Sequence, residues 1–275
     1  MSEKALNQPS HFLNSAEFCL NNQDHIGAVD YFIRAASSFQ ELHEYKKAAK
    51  YYSIALKVID QETSIKGESG IELSDLYKLL LAKNSCLFNL GLIHIWLQKY
   101  SLAKLFFIES HKPLNIANSI LKEHKEYFSN LIDPQIKDIV GITPLQTELL
   151  TFGFSSSVFS FFSALLNNDA ERITEYLIKL KKLEDLFVSD FEFKDNSFFE
   201  LLEILSESIS EKDPILFNEI TTKIEEYYTT SLRNSPEVSE IQGSHIKLLD
   251  SFLSTFEDEL LKLFDDLEKF FFDTG

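Results

Sequence analysis

The sequence predicts an all-α protein of helical hairpins in series followed by a helical bundle. Three observations predict it. Apolar residues recur at spacings of three and four along nearly the whole chain, the period of a helix with one buried face, and nothing alternates as a strand does. Glycine (8) and proline (6) are too scarce among 275 residues for a turn-rich β fold. Small and aromatic residues also recur in a fixed order, as they do where two helices cross closely. Hydrophobic residues at 44% and charged residues at 25% exclude a disordered or collagen-like chain. A chain of this length buries roughly 75% of its unfolded surface, enough for a real core.

Helix starts are marked along the chain by Asp24 before His25, Thr143-Pro144, Ser197-Phe198-Phe199-Glu200, Asp213-Pro214 and Gly243-Ser244. Breaks are expected at 21–24, 61–70, 133–143, 185–196 and 233–243, which divides the chain into hairpins over 1–132 and a bundle over 143–275. The run Phe32-x3-Ala36-x2-Phe39-x5-Tyr45-x2-Ala48-x3-Tyr52-x2-Ala55 has the spacing of a tetratricopeptide-type hairpin. Leu87-x2-Leu90-Gly91-x2-His94-x5-Tyr100-x2-Ala103-x3-Phe107 repeats it, 55 residues on from Tyr45 to Tyr100. A partial third match is Ala28-x3-Phe32-x2-Ala35, preceded by Phe12, Ala16 and Cys19. The expectation is an irregular tetratricopeptide-like superhelix. At the far end, Ile246, Leu249, Leu253, Phe256, Leu260, Leu263, Leu267 and Phe270 follow a 3-4 heptad pattern. A single helix from Ser244 to Phe272 would be about 43 Å long at ~1.5 Å per residue. Its seam is covered either by its own bundle or by a partner helix, including a second copy.

Charge divides the chain in two. Residues 1–125 carry 14 Lys/Arg against 13 Asp/Glu, a net of +1, and residues 126–275 carry 12 against 30, a net of −18. That field disfavours nucleic acid and favours a basic protein partner for the second half. Phosphate-cradling glycine loops, HExxH pairs, GxSxG elbows and CxxC pairs are absent from the sequence, so neither catalysis nor a cofactor is expected. Cys19 and Cys86 read as small buried hydrophobes, His94 as a packing residue of the second repeat, and the 25 phenylalanines as core filling. Glu257-Asp258-Glu259 and Asp265-Asp266 read as a solvated acidic face. The first residues show no apolar leader, and the run Leu87–Leu97 is short for a bilayer, so a cytoplasmic protein that meets membranes only through its partners is expected.

The segment Gly27-Ala28-Val29-Asp30-Tyr31-Phe32-Ile33-Arg34-Ala35-Ala36-Ser37-Ser38-Phe39, with Tyr45-Lys46-Lys47-Ala48-Ala49-Lys50-Tyr51-Tyr52 and Ala55, resembles the hairpins of soluble NSF attachment proteins. Phe161 to Leu166, Leu186-Phe187, Phe198 to Leu205, Asp213, Phe217 and Tyr227 are similar in order to that family's C-terminal bundle. The resemblance implies an adaptor that binds SNARE helical bundles and recruits an NSF-type ATPase. Lys46, Lys47, Lys50, Lys57, Lys99 and Lys104 are then the candidate contacts to the SNARE bundle. Glu257, Asp258, Asp265, Asp266, Glu268, Phe270, Phe271 and Phe272 are the candidates for the ATPase or another helix. The chain differs from the family in its short connector Asn21-Asn22-Gln23-Asp24 and in ending Phe270-Phe271-Phe272-Asp273-Thr274-Gly275. The second expectation is a tetratricopeptide-like scaffold or effector that binds other partners or self-associates through its terminal helix.

Overall fold

The computed structural model describes residues 3–66, 70–131, 144–187, 198–233 and 255–272. Among these, helices account for 90% and no strand occurs. The helices fall into two compact units, Met1–Asp133 and Pro134–Gly275. The first holds α1 (Glu3–Asn21), α2 (His25–Glu41), α3 (Tyr45–Lys66), α4 (Leu73–Trp96), α5 (Tyr100–Glu123) and α6 (Lys125–Leu131). The second holds α7 (Pro144–Leu166), α8 (Ala170–Phe187), α9 (Phe198–Glu211), α10 (Pro214–Arg233) and α11 (Glu257–Phe271).

Five helix–helix corners share one backbone design. Gln23, His43, Gln98, Asn168 and Lys212 each adopt a positive φ between 51° and 59°. The amide after each donates to the carbonyl five residues back: Asp24 to Cys19 (2.9 Å), Glu44 to Phe39 (2.8 Å), Lys99 to His94 (2.8 Å), Asp169 to Ala164 (3.0 Å) and Asp213 to Ser208 (2.9 Å). This is the Schellman arrangement, which satisfies the last carbonyls of one helix and turns the chain into the next. Three aspartates then cap the helix they introduce. Asp24 accepts from Gly27 N–H at 2.9 Å, Asp169 from Arg172 N–H at 3.2 Å, and Asp213 from Ile215 and Leu216 N–H at 3.0 Å each. Asp24 and Asp213-Pro214 act as the sequence indicates. None of the five left-handed positions is glycine, so each carries a cost of ~1–2 kcal/mol that the corner's hydrogen bonds and packing offset.

In the first unit the corners bring small residues together. Ala16, Ala28, Ala36, Ala48, Gly91 and Ala103 are all buried, seven residues before or five after a corner. Tyr52 and Phe107 fill the space beside these crossings. The α1–α2, α2–α3 and α4–α5 pairs pack on one another, and α3 packs on α4. Asn84 adds a buried polar link, its Nδ2 donating to the Ser110 carbonyl at 2.9 Å. Cys19 and Cys86 lie in this core, and burial raises both thiol pKa values. The second unit has the same corners but bulky crossings: Phe161, Leu205 and Phe217 are buried at the equivalent positions. Its centre is α7, whose stretch Phe154–Leu166 is buried all round, serines included. Rings close the core, with Phe162 against Phe161 at 5.4 Å and Phe264 at 5.7 Å.

Three expectations change. Residues 61–66 continue α3, because Gly67 is the first residue there that disfavours a helix; Thr63 Oγ1 donates to the Ile59 carbonyl at 2.9 Å. The terminal helix is 15 residues long and does not run unbroken from Ser244. Phe256 leaves the helical region (φ −120°, ψ 24°), its ring packs edge-on against Phe159 at 5.2 Å, and three acids at 257–259 begin α11, where the helix dipole favours them. Ile246, Leu249, Leu253, Thr143, Ser197, Gly243, Ser244 and the breaks over 133–143, 188–196 and 234–243 lie outside the described residues, while residues 185–187 and 233, expected in breaks, are the last residues of α8 and α10. Of the Leu87–Leu97 run, all but Leu97, which caps it, belongs to the longer helix α4. By length and composition Leu73–Trp96 suffices to cross a membrane, and 61% of its apolar window is buried within the protein.

Candidate functional site

The cationic edge of the first unit is built at two corners. Tyr45, the first residue of α3, stacks on Trp96, the last of α4, with ring centroids 5.8 Å apart. That contact places the corner at His43 beside the corner at Gln98. Lys46, Lys47 and Lys50 follow Tyr45 on α3, and Lys99 follows Gln98, all exposed. Lys46, Lys50 and Lys57 recur at four and seven residues, so they form one row along α3.

Aromatic rings lie beneath the lysines. Tyr51 stacks between Phe39 (5.4 Å) and Phe32 (6.4 Å). Lys47 Nζ lies 5.2 Å from the Phe39 ring and Lys50 Nζ 5.2 Å from the Tyr51 ring. Such cation–π contacts hold ammonium groups at a surface at a worth of roughly 0.5–1 kcal/mol each. Lys47 also pairs with Glu44 one turn earlier. Lys104 differs from the others: it is half-buried on α5. The edge therefore comprises Lys46, Lys47, Lys50 and Lys99, with Lys57 two turns along.

His94 sits under this edge. Its ring lies parallel to Phe106 at 5.2 Å, and Nδ1 is buried with no hydrogen-bond partner. Burial first, and Lys99 second, hold its pKa below the ordinary 6.5. The folded protein therefore takes up the His94 proton at a lower pH than the unfolded chain, which does so near pH 6.5. Below that pH the unfolded state binds more protons, so this group's contribution to stability is present above pH 6.5 and declines as pH falls. Urea midpoints at pH 7.5 and 5.5 will differ less in His94→Phe than in the parent. An equal difference would show that the histidine is already free to ionise in the folded state.

The acidic candidates separate into two groups. Glu257, Asp258, Asp265 and Glu268 are exposed on α11. Asp266 is buried, and both its oxygens accept from Lys262 Nζ, at 2.9 and 3.1 Å. Leu260, Leu263, Phe264 and Leu267 are buried within the second unit, so its own helices cover the heptad seam from Leu260 to Leu267. Phe272 packs on Phe217 at 5.1 Å and Phe271 on Phe270 at 4.8 Å, while Phe270 itself is exposed. Among the described residues no group of three His, Cys, Asp or Glu side chains could hold a metal ion.

No protein-family model, curated protein or solved structure matches the chain. Sequence reasoning missed the exposed apolar side chains Phe18, Leu102, Leu105, Ile116, Ile178 and Ile215. For α5 a signal was present, since Leu102, Leu105, Glu109, Lys112 and Ile116 repeat at three and four residues on the face away from Ala103 and Phe107.

Proposed function

We propose that the chain is a non-enzymatic adaptor that holds other proteins. The first unit, read as a tetratricopeptide-like superhelix, lays its lysine edge along an acidic helical bundle of the SNARE type. The second unit, read as a helical bundle, offers the acidic face of α11 to a basic domain such as that of an NSF-type ATPase. The observation that carries this reading is the Tyr45–Trp96 stack, which gathers cations from two corners onto one edge above an aromatic layer. A row of spaced cations suits a long anionic helix bundle, where charge sets register and encounter rate. The net −16 of Pro134–Gly275, 12 Lys/Arg against 28 Asp/Glu, supports an opposite preference for the second unit.

The test is direct binding of the full chain to a purified SNARE bundle at low and at high salt. Changing Lys46, Lys47 and Lys50 together to glutamate is expected to weaken binding about tenfold or more at low salt, each rim charge being worth ~0.2–1 kcal/mol. The difference should shrink as salt rises. Equal affinity of parent and triple variant would remove the lysine edge from the reading. Absence of binding by the parent would remove the SNARE bundle. A scaffold using the terminal helix is the second reading, and what favours it is the exposed row Asp258, Leu261, Asp265 and Glu268 on α11.

A further inference from the structure

We propose that α5 carries a self-complementary surface through which two copies of the chain form an antiparallel, two-fold dimer. The observation is an apolar row left exposed on α5 among the described residues. Leu102, Leu105 and Ile116 are 43%, 56% and 45% exposed, although α5 buries its opposite face against α4. Between the leucines and the isoleucine stand Glu109 and Lys112, both exposed and paired with one another at 2.7 Å.

The order of these residues selects the occupant. Leu105, Glu109, Lys112 and Ile116 read apolar, negative, positive, apolar, at spacings of four, three and four. Run a second copy of the helix antiparallel about an axis midway between Glu109 and Lys112. Leu105 then faces the second copy's Ile116, and Glu109 faces its Lys112, with both contacts repeated by symmetry. The spacing is that of a heptad seam, in which an antiparallel pair places each first position opposite a fourth. A one-turn slip in either direction would set charged groups against Leu105 or Ile116, so the central pair fixes the register. The within-helix Glu109–Lys112 pair is exposed and three residues apart, a weak interaction that the two intermolecular pairs replace readily. The exposed row of α11 cannot pair with itself in this way. A two-fold pair centred on that row would set Asp258 against Glu268 and Leu261 against Asp265.

The row from Leu102 to Ile116 spans about 21 Å at ~1.5 Å per residue. One helix pair of that length lies at the small end of specific interfaces, so the dimer is reversible, with a dissociation constant on the order of 1–100 μM. The proposal is independent of the adaptor reading.

Sedimentation equilibrium of the full chain tests it. The parent should pass from monomer to dimer across the micromolar range. Glu109→Lys alone sets lysines opposite lysines, and Lys112→Glu alone sets glutamates opposite glutamates, so each should weaken the dimer at least about tenfold. Mixing the two variants in equal amounts restores both opposite-charge contacts, and a heterodimer as tight as the parent should form. Leu105→Asp should abolish association alone and in mixtures, with circular dichroism unchanged because the side chain lies at the surface. A parent that stays monomeric at several hundred micromolar overturns the proposal. So does a dimer indifferent to these changes, or a mixture that associates no better than either variant alone.

Discussion

Phe107→Ala will cost the first unit ~3–5 kcal/mol, and Gly91→Ala placed on top of it will cost nothing more. A Cβ built on Gly91 lies 2.5, 2.7 and 2.8 Å from three carbons of the Phe107 ring, closer than side-chain carbons approach. The ring has nowhere to move, being fully buried and packed against Phe88 at 5.6 Å. By itself, Gly91→Ala should therefore cost ~1–3 kcal/mol through overpacking, reduced by the ~1 kcal/mol that alanine gains over glycine in a helix. With the ring removed, the new methyl enters the cavity and the penalty becomes a gain. Urea midpoints of both single variants and the double variant give the coupling directly. Additive losses would mean that α4 and α5 separate freely at this crossing.

That crossing also explains what the sequence makes readable. In the first unit, each corner is flanked by a small residue on both helices, at Ala16 and Ala28, Ala36 and Ala48, and Gly91 and Ala103. The pattern survives in sequence because only small side chains fit there. In the second unit the corners at Asn168 and Lys212 have the same backbone and the same hydrogen bonds, yet Phe161, Leu205 and Phe217 occupy the crossings. Bulky residues can be accommodated in many ways, so no fixed spacing marks them. The corners near His43, Gln98 and Asn168 also lack the glycine that commonly announces a left-handed helix end, and they fall outside the expected breaks. Phe256 interrupts the heptad helix because a tertiary contact to Phe159 prevails over a continuous local pattern. Of the candidate site, the lysine row on α3 follows from periodicity alone. Its junction with Lys99 does not, because it depends on the Tyr45–Trp96 stack between residues 51 positions apart.

Lys262→Met will destabilise the second unit by ~2–4 kcal/mol, whereas Lys262→Met combined with Asp266→Leu will return stability to within ~1 kcal/mol of the parent. The asymmetry comes from burial. Asp266 is almost wholly enclosed on α11 among Leu263, Phe264 and Leu267, and both its oxygens accept from Lys262 one turn away. Removing the ammonium leaves a carboxylate without its counter-charge in an apolar setting, while removing both groups leaves a hydrophobic surface of similar volume. The pair lies inside the helix that the adaptor reading offers to a basic partner, so it sets which acids are available. Asp266 spends its charge on Lys262, and the outward set is Glu257, Asp258, Asp265 and Glu268. If Lys262→Met costs less than ~1 kcal/mol, the carboxylate has turned outward to water, the worth of an exposed pair. Asp266 then joins the docking face. A loss near 3 kcal/mol keeps it in the core, and its charge contributes nothing to a partner's approach.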